Sequence, residues 1–122
     1  VSEDKSFPTY AWGEKVQFTL YFEVRRRVTS SQKMFMHVDY PGNRIHADHD
    51  PAGGEFPTNY WLPGDIVKDE YEFTVPSYSP TGVYTIYFGF YRSGDRMNVT
   101  PKQAHDGSNR VIAAKIRVKS VL

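Results

Sequence analysis

Along VQFTLYFEV, apolar and polar side chains alternate without a slip. Val16, Phe18, Leu20, Phe22 and Val24 share one face; Gln17, Thr19, Tyr21 and Glu23 share the other. A period of two is that of a half-buried strand, and no helical period competes with it. The polar stretch from Arg25 to Lys33 reads as a connection and KMFMHVDY as a second strand. Pro41-Gly42-Asn43 supplies turn chemistry, and RIHAD (Arg44 to Asp48) a short return strand. After a turn at Pro63 to Asp65, VKDEYEFTVP is a strand with Tyr71, Phe73 and Val75 inward. Pro76 ends it, because proline cannot donate to a ladder.

SYSPTG is then a loop, and GVYTIYFGFYR is the longest strand. Its Tyr84, Ile86, Phe88 and Phe90 point one way; Thr85, Tyr87, Gly89 and Tyr91 point the other. SGD turns into a short strand, RMNVT, and PKQAHDGSN is a loop. RVIAAKIRVKS closes the chain with Ile112, Ala114, Ile116 and Val118 inward. Seven or eight short antiparallel strands separated by turn signals predict an all-β, immunoglobulin-like sandwich, with a small barrel as the competing architecture. One long ordered loop, about residues 46–65, interrupts the pattern. KMFMHVDY carries apolar groups on both faces, which predicts a strand covered on both sides, with that loop as the cover. A buried His37 would anchor the loop.

Composition supports this picture. At 122 residues the chain is one domain, 1–122, able to bury a core without staples. Aromatic residues reach 16%, a bias towards pleated, half-buried surfaces. Without cysteine, disulfides and thiolate zinc sites are excluded. A net charge of +1 gives nucleic-acid binding little support. No apolar run approaches the ~20 residues of a membrane span. VSEDKSFPTY lacks signal-peptide architecture, so any targeting or membrane segment is expected outside this chain.

The candidate chemistry concentrates in HADHDPAGGEFPTNYWLPGD. Asp39, Asp48 and Asp50 could offer oxygen ligands to a cation, calcium rather than zinc, although turn capping explains Asp48 and Asp50 equally. His46 and His49 are candidate ligand contacts. Trp61 reads either as a contact or as a plug pinning the loop, its indole N–H finding a partner. Tyr60 is the better solvent-facing ring. Tyr87 and Tyr91, with Tyr21 on another strand, form the kind of aromatic surface on which sugar rings stack; Arg92, Arg96 and Asn98 could add polar contacts. Cross-strand aromatic pairing is the competing explanation for those tyrosines. Arg25 to Arg27 reads as a solvated corner, and Asn98-Val99-Thr100 is a glycosylation sequon of use only in a eukaryotic secretory setting. No nucleophile elbow, phosphate loop or paired-carboxylate frame is present, so an enzyme is not expected.

From Met34 onward a longer pattern emerges: Phe35, His37, Asp48 or Asp50, Pro51, Gly54, Pro57, Thr58, Trp61, Pro63, Gly64 and Asp65, then Gly82, Tyr84, Gly89, Tyr91 and Arg96. It resembles the extracytoplasmic sandwich domain appended to bacterial membrane proteins of the dolichyl-phosphate-mannose mannosyltransferase type. More loosely, it is similar to the polysaccharide-recognising sandwich domains of O-antigen exporters. The Trp-x-Pro-Gly-Asp segment is the most specific part. The resemblance implies a noncatalytic accessory module in the periplasm or at the cell surface, part of a larger protein. Its partner would be a glycan, such as a lipid-linked saccharide, or another envelope protein, with membrane attachment only through segments outside this chain. A structural or protein–protein interaction domain of an envelope assembly is the alternative, and a hydrolase built on the His-Asp loop is third.

Overall fold

The alternating stretches fold as extended strands in the computed structural model, which describes residues 7–100 and 107–121. In chain order these are β1 (Thr9–Ala11), β2 (Lys15–Glu23), β3 (Lys33–Tyr40), β4 (Asn43–His46), β5 (Ile66–Thr74), β6 (Gly82–Arg92), β7 (Asp95–Arg96) and β8 (Val111–Lys119). Two short 3-10 turns, Pro51–Gly54 and Thr58–Tyr60, lie within the long loop, and there is no α-helix among the described residues.

The strands form two facing sheets. The larger runs β1-β8-β6-β3-β4, with β7 attached to β6, and the smaller is β2 paired with β5. This is an immunoglobulin-like sandwich. One expectation needs correction: β1 pairs with β8 in parallel, Thr9 against Arg117 and Ala11 against Lys119, so the larger sheet is not wholly antiparallel.

Between the sheets, Met34, Met36, Val38, Tyr84, Ile86, Ile116 and Val118 from the larger sheet meet Val16, Phe73 and Val75 from the smaller side. Each strand contributes alternate residues, as the period of two requires. Tyr84 fixes the corner where the chain crosses from one sheet to the other. Its ring is fully buried, and its hydroxyl donates to the Pro80 carbonyl at 2.8 Å, four residues back. Such a tyrosine corner is a hallmark of immunoglobulin-like domains. Asn43 Nδ2 donates to the same hydroxyl at 3.3 Å, joining the β3–β4 hairpin to it.

Two details differ from the sequence expectation. A bulge in β8 opposite Ile86 and Tyr87 inserts one residue and reverses the alternation. Ile112 is therefore 54% exposed and Ala114 is exposed, whereas Ala113 packs against the core. The strand expected over Arg96 to Thr100 is only Asp95–Arg96, because pairing with β6 stops after Met97. The loop expected from Pro101 to Asn109 lies partly outside the described residues.

β3 is covered on both sides, as its pattern predicts, but residues 46–65 do not cover both of them. At Gly89, on the outward face beside Phe35, an added methyl would overlap the Phe35 ring and crowd the Asn109 carbonyl. The outer cover thus includes the segment just before β8.

Candidate ligand-binding face

The outward face of the larger sheet follows from strand register. Asp39 on β3 lies opposite Arg44 on β4 and beside Thr85 on β6. His37 lies opposite His46 and beside Tyr87. All of these except His37, with Tyr40 to Asn43 of the hairpin and Val83, line an open depression of about 650 Å³. A smaller depression beyond His37 is lined by Phe35, Asp48, Tyr91 and Arg96.

An ionic cluster forms the wall of the first depression. Arg44 grips Asp39 through two bonds, Nε to Oδ1 at 2.7 Å and Nη2 to Oδ2 at 3.1 Å. Arg110, arriving from the segment before β8, adds a third bond from Nη1 to Asp39 Oδ2 at 3.0 Å. Burial pushes the Asp39 pKa up, but the hydrogen bonds from Arg44 and Arg110 outweigh it and hold the carboxyl below its usual value. The Arg110 guanidinium lies 3.9 Å from the Tyr87 ring centre, a cation–π contact, and also donates to His37 Nδ1 at 3.2 Å. His37 is buried, which disfavours its charged form, and Arg44 and Arg110 add to that; its pKa falls to about 4. The ring is therefore neutral at pH 7, with Nδ1 as acceptor and the proton on Nε2.

The other histidine of the motif behaves in the opposite way. His49 Nε2 donates to Asp69 Oδ2 at 2.7 Å and Nδ1 donates to the Ala47 carbonyl at 2.9 Å. Both ring nitrogens face acceptors, an arrangement that favours a proton on each and so the cationic ring. Burial opposes that charge, but the bonds to Asp69 and Ala47 and the charges of Asp69 and Asp48 prevail, raising the pKa. The ring stacks on Tyr71 at 4.0 Å, and the pair is closed to solvent, the His49 and Asp69 side chains being 8% and 0% exposed. Asp69 Oδ1 also accepts from the Ala52 amide at 2.9 Å. His49 and Asp69, rather than His37, thus tie the long loop to the smaller sheet.

Two further contacts fix the loop. Thr58 Oγ1 donates to the Ser30 carbonyl and accepts from the Gln32 amide, both at 2.8 Å. Trp61 is the plug: it is 6% exposed, its indole N–H donates to the Phe56 carbonyl at 2.8 Å, and it stacks near Phe22. Burial removes Trp61 and His49 from the candidate ligand contacts.

The remaining candidates scatter. Tyr60 is 64% exposed at the loop tip, and Tyr21 is 66% exposed on the outer face of the smaller sheet. Tyr21 and Tyr87 lie on opposite sheets. The Tyr87 face is occupied by Arg110, so that ring supports a guanidinium instead of offering a bare stacking surface. Tyr91 lies 6.3 Å from Phe35, over which Arg96 also sits at 4.4 Å while donating to the Ser108 carbonyl. Arg92 and Asn98 are exposed, and His46 lines the first depression.

The cation set does not converge. Asp39 is held by two arginines, Asp48 Oδ1 accepts the Met36 amide at 2.9 Å, and Asp50 lies 3.5 Å from Lys33. Among the described residues no three histidines or carboxylates gather around one point.

Sequence reasoning missed Arg44, Arg110 and Asp69. A two-residue turn at Pro41-Gly42 fixes Arg44 opposite Asp39, so that pair could have been found. Asp69 falls in phase with the inward Tyr71 and Phe73, a buried acid hidden in plain alternation. Nothing local points to Arg110. No protein-family model and no curated protein sequence matches the chain.

Proposed function

We propose that this domain is a noncatalytic binding module that recognises a saccharide outside the cytoplasm as an accessory part of a larger protein. The observation carrying the proposal is the first depression on the larger sheet. Its Asp39 and Arg44 are locked together by two hydrogen bonds, and strand register sets Asn43, Thr85 and His46 beside them before any ligand arrives. Sugar hydroxyls need such a fixed array of donors and acceptors, and pre-organisation lowers the entropic cost of binding. The likeness of the Trp-x-Pro-Gly-Asp segment to accessory domains of glycosyltransferase-type membrane proteins supports the extracytoplasmic setting.

Calorimetric titration with an oligosaccharide panel tests the proposal. Saccharide binding that Arg44→Ala abolishes, with the fold retained, supports it; no binding across the panel counts against it. A different surface favours the second reading, a protein–protein interaction domain. Tyr21, Tyr60, Leu62 and Ile66 are all more than half exposed, at 66%, 64%, 51% and 65%. Tyr21 and Ile66 are diagonal neighbours across the β2–β5 pair, the start of an apolar patch suited to a protein partner. Capture of a defined envelope protein that Ile66→Asp releases would favour that reading.

A further inference from the structure

The two faces of the sandwich differ in how they balance charge. On the smaller sheet the acids are matched: Glu72 lies 3.8 Å from Lys15, Glu23 lies 3.5 Å from Arg25, and Glu70 lies 3.6 Å from Lys68. On the larger sheet the pattern is different. Asp39 is one carboxylate shared by two arginines. Two strands away, β8 turns Lys115 and Lys119 outward, because Ile116 and Val118 are buried in the core. Lys115 and Lys119 are exposed, and neither forms an ion pair among the described residues.

Register sets Lys115 in line with the Asp39–Arg44 pair. Arg44, Asp39, Thr85 and Lys115 form one transverse row over β4, β3, β6 and β8. Three interstrand spacings separate its ends, roughly 14 Å. Within it Asp39 is bonded by Arg44 and by Arg110, whose guanidinium lies over the neighbouring Tyr87 ring; Thr85 is uncharged, and Lys115 at the far end forms no ion pair among the described residues. A short saccharide laid along the row would place hydroxyls over the centre and its charged substituents near the cations.

The geometry points to an anionic saccharide, one bearing carboxylate or phosphate groups, as the ligand of this face. The inference rests on the saccharide reading above and narrows it to a class. The net formal charge of +1 does not reveal this face, because it sums over the whole chain and carries no position.

The test is calorimetric titration at low salt with three probes of equal length: tetragalacturonate, a phosphorylated mannotetraose and neutral maltotetraose. The anionic probes are expected to bind at least tenfold more tightly than the neutral one, with affinity falling as salt is raised. Lys115→Gln combined with Lys119→Gln is expected to weaken anionic binding several-fold, while Lys15→Gln combined with Lys68→Gln, the same change in net charge on the opposite sheet, leaves it unchanged. Preference for either anionic probe supports the inference and identifies the charged group. Equal binding of all three probes overturns the inference and leaves the saccharide reading standing. Equal losses from the two double variants overturn the site, because affinity would then follow overall charge. Binding of none overturns both.

Discussion

Replacing Asp69 by alanine removes one half of a sealed ion pair. It leaves His49 with a proton on Nε2 and no acceptor, and it strips the Ala52 amide of its partner. Asp69 is 0% exposed and the His49 side chain is 8% exposed, so water cannot replace the lost carboxylate without opening the loop. Breaking a buried pair from one side costs about 3–5 kcal/mol. Against a total stability of ~5–15 kcal/mol for such a domain, that is a large fraction.

Urea unfolding followed by tryptophan fluorescence reads the loss, since Trp61 sits in the same loop and is buried. With a slope of ~2 kcal/mol/M, the midpoint should fall by roughly 2 M. The pH dependence adds a second signature. His49 has a folded pKa above its ordinary 6.5, so its contribution is complete below pH 6.5 and declines as pH rises through the folded value. Asp69→Ala should abolish that decline. A midpoint within 0.3 M of wild type, at about that same slope, or an unchanged pH slope, would refute the idea that this pair ties the loop to the smaller sheet.

The remaining predictions concern the other side of the molecule. His37 titrates in the folded state near pH 4, against 6.5 when unfolded, so the stability that its neutral form confers is present above pH 6.5 and lost as pH falls towards 4. Ring-carbon NMR at pH 6 should show His37 neutral and His49 charged; the reverse assignment would overturn both environments. Tyr84→Phe deletes the hydroxyl that meets Pro80 and Asn43 and should cost about 1–2 kcal/mol in urea unfolding; a loss under ~0.3 kcal/mol would contradict the corner's role. Gly89→Ala drives a methyl into the Phe35 ring and the Asn109 carbonyl and should destabilise by about 1–3 kcal/mol; a neutral result would mean that this face is loosely packed.

The layered fold was legible because its strands alternate. Val16 to Val24 and Tyr84 to Phe90 fixed two inward faces from spacing alone, and the two-sided burial of Met34 to Val38 followed from apolar groups at consecutive positions. β8 was misread because a bulge leaves no mark in composition: Ile112 and Ala114 look inward until pairing with β6 shows the extra residue. The parallel β1–β8 contact was equally hidden, since three residues carry too little pattern to reveal a partner.

At the candidate site, individual residues were easier to foresee than their partners. His37 was expected to be buried and is, but its hydrogen bond comes from Arg110, seventy-three positions away in sequence. His49 was expected at a ligand-facing rim; the inward phase of Asp69 draws it under the loop instead. Tyr87 was expected to present its ring outward, and it does so to a guanidinium.

The role assigned to the larger sheet is tested most directly by amide NMR mapping during titration with tetragalacturonate. Shifts should concentrate on Arg44, His46, Thr85, Tyr87 and Lys115, which lie in adjoining rows, while Gln17, Tyr21 and Glu72 on the opposite sheet stay fixed. Saturable shifts centred on the smaller sheet or the Tyr60 loop tip, with the Arg44 to Lys115 row silent, would contradict the account.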